Sequence, residues 1–144
     1  MTVRPAAVLA RLAHLGFVIE QLERLQALKA SGSCDPLYDL GAERALHLAA
    51  EAIFDVGHHV LAGRGHAVPA SYREIVPALV AHGILPPELG ARFEGMAGLR
   101  NLLVHDYARI DGDMIWRALD EHIADFRAAH TSLSGLPELE QTSS

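Results

Sequence analysis

The sequence is short of several things on which folds and functions are often built. It has one cysteine, Cys34, in 144 residues, so no disulfide can form within the chain and the fold does not depend on oxidation. Cys34 sits among Ser31, Gly32, Ser33, Asp35 and Pro36 and reads as an ordinary loop residue. No apolar run approaches the roughly 20 residues that cross a bilayer. The N-terminus also lacks the charged, apolar and small-residue regions of a secretory signal. A cytoplasmic protein with no membrane contact is expected. Lysine is nearly absent: eleven of the twelve basic residues are arginine, and Lys29 is the exception. With a net charge of −6, broad electrostatic wrapping of nucleic acid is excluded. Local phosphate contact through an arginine fork is not. Aromatic residues make up only 6% of the chain. Their scarcity, set against abundant alanine and leucine, leans towards helices.

What is present is enough for one domain with a real core, and too little for two. The apolar residues Leu12, Leu15, Val18, Ile19, Leu22, Leu25 and Leu28 recur in steps of three and four, which predicts a helix over 5–30. Asp35 followed by Pro36 predicts a capped second helix running to about Ala62, where Gly63-Arg64-Gly65 stops it. This helix is largely apolar, yet Glu43, His47, Glu51, Asp55 and His59 recur every fourth residue. They form a slowly winding polar stripe, either a solvated face or a seam towards an active site or a second subunit. Ser71 and Glu74 form a capping-box pattern for a short third helix containing Pro77. A fourth helix starts near Glu88 and carries Leu89, Phe93, Met96, Leu99, Leu102 and Leu103. Asp111-Gly112-Asp113 marks a turn, and a fifth helix follows with Met114, Ile115, Leu119, Ile123 and Phe126. The expected fold is all-α, an up-and-down bundle of about five helices over residues 1–131, with a flexible tail over 132–144.

The segment Arg100-Asn101-Leu102-Leu103-Val104-His105-Asp106-Tyr107 carries the chemistry. On a helix with about 100° per residue, Leu99, Leu102, Leu103 and Asp106 share an arc that would face the core. Arg100 and Tyr107 nearly coincide on the opposite side, Asn101 and His105 adjoin them, and Val104 lies between. Arg, Asn, His and Tyr around one apolar residue describe a contact face better than a solvated one. The reaction such groups suit is RNA cleavage. The ribose 2′-hydroxyl attacks the neighbouring phosphorus, a histidine moves the proton, and an arginine fork holds the developing negative charge without a metal. The spacing alone is weak evidence, because an arginine and a histidine five residues apart are common.

The pattern resembles more than a pair of residues. Arg100-x4-His105 is similar to the R-x4–6-H motif of the HEPN superfamily, and the extension to Tyr107 resembles the HepT toxins. The stretches Ala45–Asp55, Pro69-x-Ser71-Tyr72-Arg73-Glu74 and Gly98–His105 also resemble that family, so the likeness covers about residues 5 to 130. It implies a homodimeric helical bundle with a composite, cofactor-free endoribonuclease site at the subunit interface, acting on RNA. It further implies a toxin of a type VII-like toxin–antitoxin system. The toxin would be neutralised by a minimal nucleotidyltransferase antitoxin that transfers AMP to Tyr107. On this reading Arg100 and His105 are catalytic, Asn101 and Asp106 support them, and the added phosphate beside Arg100 would compete with RNA. Glu51 and Asp55 either orient His105 across the bundle or are ordinary interface residues.

Other candidates read more plainly. Adjacent His58 and His59 point about 100° apart on a helix and have no cysteine cluster to join them, so a polar helix face is expected rather than a metal site. Gly63-Arg64-Gly65-His66 follows no strand and is not expected to cradle phosphate. Trp116 is expected in the core, with base stacking as the alternative. The competing function is a non-catalytic HEPN nucleotide-binding or scaffold partner of a nucleotidyltransferase.

Overall fold

The computed structural model describes residues 3–105, 108 and 111–140. Among them there is no strand. The helices are α1 (Pro5–Ala30), α2 (Pro36–Gly63), α3 (Tyr72–Ala81), α4 (Pro87–Arg92), α5 (Glu94–His105), α6 (Gly112–Ser134) and α7 (Pro137–Glu140). No described helix is long and apolar enough to cross a membrane.

The first two helices begin and end where their signals place them. Proline opens each, where its missing N–H is not needed. The Asp35 carboxylate accepts from the Leu37 N–H at 2.9 Å. After α1, Gly32 takes a φ of 89°, and the Ser33 N–H turns back to the Leu28 carbonyl at 3.0 Å. A glycine in the left-handed region is the usual way to satisfy those last carbonyls.

Helix α2 is the axis of the bundle and packs against α1, α3, α5 and α6. Half of its buried residues are small, Ala42, Ala45, Ala49, Ala50, Ala52 and Gly57, and larger ones such as Leu46, Ile53, Phe54 and Leu61 stand among them. Small residues let neighbouring helices approach. At Gly57 a Cβ would lie 2.8 Å from Leu79 Cδ1 and 3.2 Å from Ile75 Cγ2, so α3 crosses α2 against bare backbone there. Trp116 is buried, as expected. Its Nε1–H donates to Asp39 Oδ1 at 2.6 Å, and the Lys29 ammonium lies 4.7 Å from the ring centroid.

Four features differ from expectation. The fourth helix is two: the chain breaks at Phe93, which is fully buried and tilted against Phe126 with centroids 6.4 Å apart. The helix is interrupted where that ring is seated. The Asp111 turn is a helix cap, its carboxylate accepting from the Met114 N–H at 2.8 Å. Ser71 caps α3 in backbone conformation only, and its side chain makes no capping bond. The tail is ordered past Ser132. Helix α6 continues to Ser134, α7 follows, and Leu133, Leu136 and Leu139 are buried. Their spacing of three continues the apolar face through small and polar neighbours. The Arg64 fork donates to both Glu138 oxygens, at 2.7 and 2.9 Å, and holds the Glu138 carboxyl below the usual carboxylate range.

Helix α6 also carries a buried polar pair. The Arg92 Nε–H donates to Asp125 Oδ1 at 2.5 Å, and His122 Nδ1 lies 3.5 Å from Asp125 Oδ2. Asp125 and His122 are buried, whereas the Arg92 side chain is 58% exposed. The two ends are therefore not equivalent. Removing Asp125 releases an arginine that reaches water, while removing Arg92 strands a carboxylate inside. Arg92→Ala is expected to lower the urea midpoint further than Asp125→Ala. Equal midpoints, or the reverse order, would refute this asymmetry.

Candidate active site

The pattern of burial shows which way α5 faces. The buried residues of α5 are Met96, Ala97 and Leu103, while Leu99 and Leu102 are only half-buried. Arg100 is four residues after Met96, three after Ala97 and three before Leu103. It therefore lies at the centre of the inward arc and not opposite the core, as the leucine pattern implied. Its side chain is 13% exposed.

A guanidinium in that position needs a counter-charge. Glu51 on α2 provides it, with Arg100 Nε–H donating to Glu51 Oε1 at 2.5 Å. The guanidinium carbon lies 3.7 Å from the centroid of the Tyr72 ring, a cation–π contact at the first residue of α3. The Tyr72 hydroxyl donates to Glu51 Oε2 at 3.3 Å, and the ring is braced by Phe54, 5.0 Å away. His47 Nε2 approaches Glu51 Oε1 at 3.4 Å. Among the described residues, the Nη edge of Arg100 makes one long contact, from Nη1 to Asn101 Oδ1 at 3.4 Å. One side of the guanidinium is thus anchored by described residues and the other is not.

The other expected site residues are distributed differently. His105 and Asn101 are exposed, four residues apart on the outer face of α5. Five residues separate His105 from Arg100, about 140° around the helix, so one chain does not turn both side chains to the same point. Asp106 and Tyr107 lie outside the described residues. Among the described residues, Glu51 and Asp55 make no hydrogen bond or ion pair with His105. Glu51 is taken by Arg100, Tyr72 and His47, while Asp55 pairs with Arg11 and lies 3.8 Å from His59. The every-fourth stripe of α2 is therefore a seam of ion pairs to α1 and α5 at its middle positions.

Two participants went unassigned in the sequence, Tyr72 and Arg11. Tyr72 stands in the Pro69-x-Ser71-Tyr72 stretch, and an aromatic at the first position of a helix in a chain this poor in aromatics was a usable signal. Arg11 gave none, because its partner is 44 residues away. Beside the Glu51–Tyr72 pair opens a cleft of about 610 Å³, lined by residues of α1, α2 and the start of α3, among them Arg11, His14, Asp55, His58 and Ser71. Among the described residues, no group of three or more His, Cys, Asp or Glu side chains is placed to hold a metal ion.

With this geometry in hand, similarity to known proteins is informative. A model of the ribonuclease HepT-like family matches residues 18–133. The chain is 28% identical over 81 residues to an mRNA nuclease HepT from Shewanella oneidensis, a match that covers 56% of this chain and 61% of that protein, less than two thirds of its length. It is 27% identical over 118 residues to a tRNA nuclease HepT from Aphanizomenon flos-aquae, covering 81% of this chain and 80% of that one. Among solved structures, a tri-AMPylated Shewanella oneidensis HEPN toxin in complex with MNT antitoxin superposes with a TM-score of 0.78 at 20% identity. That match covers 90% of this chain and 97% of the toxin, a likeness of fold.

The Tyr72 phenol carries a measurable signature of this cradle. Its pKa lies above the ordinary tyrosine value, first because of burial and then because of the Glu51 charge, with Arg100 pulling the other way. The unfolded chain ionises this group at about 10. Its contribution to stability is therefore complete below that pH and lost as pH rises through the folded value. Alkaline titration followed by tyrosinate absorbance should show a late-ionising tyrosine among the three, absent in Tyr72→Phe. An unchanged last step in Tyr72→Phe would contradict the burial of this hydroxyl against Glu51.

Proposed function

The chain belongs to the ribonuclease HepT-like family, and on that premise we propose that it is an endoribonuclease toxin that cleaves RNA without a metal. Arg100 binds the scissile phosphate and His105 moves the proton. The observation that carries this reading is the Arg100 cradle. Glu51 and Tyr72 hold the guanidinium in one orientation, and among the described residues its Nη edge has no acid partner, which suits bidentate contact with a phosphate. The 2′-hydroxyl oxygen attacks phosphorus and loses its proton to a histidine, and the 5′-oxygen leaves with a proton. The products are a 2′,3′-cyclic phosphate and a 5′-hydroxyl. Pre-set charge at the phosphate supplies the stabilisation.

The 140° between Arg100 and His105 favours a site completed by a second copy, in which His105 of the partner subunit faces the phosphate held by Arg100. The surface supports such a homodimer. Phe17, Leu37 and Leu40 are 59%, 69% and 62% exposed. Leu40 and Arg44 share a shallow groove with Leu103 and Val104, and Arg44 also borders a second groove beside Phe17. Val104 is the packing point expected from the sequence. Exposed large apolar side chains beside grooves suit an interaction face.

In this reading the protein acts in the cytoplasm and is neutralised by a nucleotidyltransferase antitoxin that transfers AMP to Tyr107. Asn101 and Asp106 support the site. A second reading, a non-catalytic nucleotide-binding partner of that antitoxin, is favoured by one observation: Glu51 already neutralises Arg100.

Incubation of the purified protein with total RNA in excess chelator tests the choice. Cleavage should persist, leave cyclic phosphate ends, and fall by about 100-fold or more in Arg100→Ala and His105→Ala, the scale of losing general acid–base or charge stabilisation. Intact RNA together with Arg100-dependent nucleotide binding would establish the second reading instead. For the dimer, Phe17→Asp and Leu40→Glu should shift the mass measured by light scattering from two copies to one. A wild-type protein that is already monomeric at micromolar concentration would rule the composite site out.

A further inference from the structure

We propose that the cleft between α1, α2 and the start of α3 is a nucleobase subsite, which receives an unpaired base of the RNA strand whose phosphate lies on Arg100. The proposal rests on the ribonuclease reading above. Three observations point to it.

The first is continuity. Glu51 and Tyr72 hold Arg100 and also line the cleft. Two of the side chains that anchor the guanidinium are therefore also wall of the cavity.

The second is size and lining. About 610 Å³ falls within the range of about 300–1,000 Å³ typical of small-molecule sites. Phe54, Leu48, Ala52 and Ile75 supply apolar wall, while Ser71, His14 and His58 bring groups that donate and accept hydrogen bonds. A flat ring with a polar edge fits that combination.

The third is charge. The cations of the cleft that would otherwise attract phosphate are committed. Arg11 donates through Nε to Asp55 and through Nη1 to the Ala7 carbonyl at 3.0 Å, and Glu51 is taken by Arg100. The cavity is nearly neutral, so it suits an uncharged base, and the phosphate belongs outside at the Nη edge of Arg100. His14 and His58 are exposed on their helices and lie outside the Arg100 cradle. They form the part of the subsite that can be altered without disturbing the anchor.

The test uses the full chain and RNA of randomised sequence. Cut sites are counted and normalised within each variant, so that overall rate does not enter. Wild type should prefer one base next to the cut by about tenfold or more, the scale of one well-made set of polar contacts. In His14→Ala/His58→Ala that preference should shrink to within about threefold, a loss of selectivity and not of one protonation step. A wild type without base preference, or a double variant that keeps it, overturns the proposal. If no RNA is cut, the ribonuclease reading fails, and the subsite is judged by binding alone. Ribonucleoside 5′-monophosphates should then shift the His14 and His58 ring signals in NMR spectra saturably, and orthophosphate should not. Signals unmoved by nucleotides, or moved equally by orthophosphate, overturn it.

Discussion

The geometry of the site depends on one ion pair. Arg100 lies on the inward arc of α5, between Met96 and Leu103, where an unpaired charge would be held out of water. Leaving such a half-buried charge without its partner is costly, because water solvates it only in part. Glu51 removes that penalty, and in doing so ties α5 to the central helix α2. Tyr72 completes the arrangement by covering the face of the guanidinium and sharing the same carboxylate. Three helices, α2, α3 and α5, thus meet on three side chains, and the orientation of Arg100 follows from the packing of the bundle.

That arrangement carries a tension. The carboxylate that makes Arg100 tolerable inside the bundle also weakens its pull on a phosphate, because part of its charge is already compensated. Anchoring through Nε resolves this in part, since the opposite edge of the guanidinium keeps its donors. The gain is orientation. A guanidinium fixed by a carboxylate and a ring loses little freedom when it binds, and preorganised charge is what stabilises a phosphate transition state. The acidity of the whole chain is consistent with this economy. With a net charge of −6, RNA would be gripped at chosen points and not along a basic groove.

The same use of paired charge recurs away from the site. Arg92 with Asp125 and Arg64 with Glu138 each join an exposed or half-exposed arginine to an acid on a later helix. With one lysine in the chain, arginine supplies almost every such link. The Arg64 fork on Glu138 helps hold α7 to the end of α2, where Leu136 and Leu139 are buried.

What the sequence determined by itself was local. The spans of α1 and α2, the Asp35 cap, the all-helical class and the burial of Trp116 follow from periodicity, capping chemistry and side-chain polarity, which act over a few residues. The likeness to the HepT family was also readable, through the motif around Arg100 and His105 and the stretches on the second and third helices. Tertiary packing decided the rest. Phe93 breaks a helix that its leucines would have continued, because its ring is needed against Phe126. Leu136 and Leu139 order a segment whose composition reads as a tail. The direction of Arg100 was set by which residues of α5, Met96, Ala97 and Leu103, are buried, and the partners of Glu51 and Asp55 by which helices lie beside α2. Glu51 meets a residue 49 positions away and Asp55 one 44 positions away. No local rule reaches that far: which charges meet depends on how whole helices cross, and that is fixed only when the apolar faces pack together.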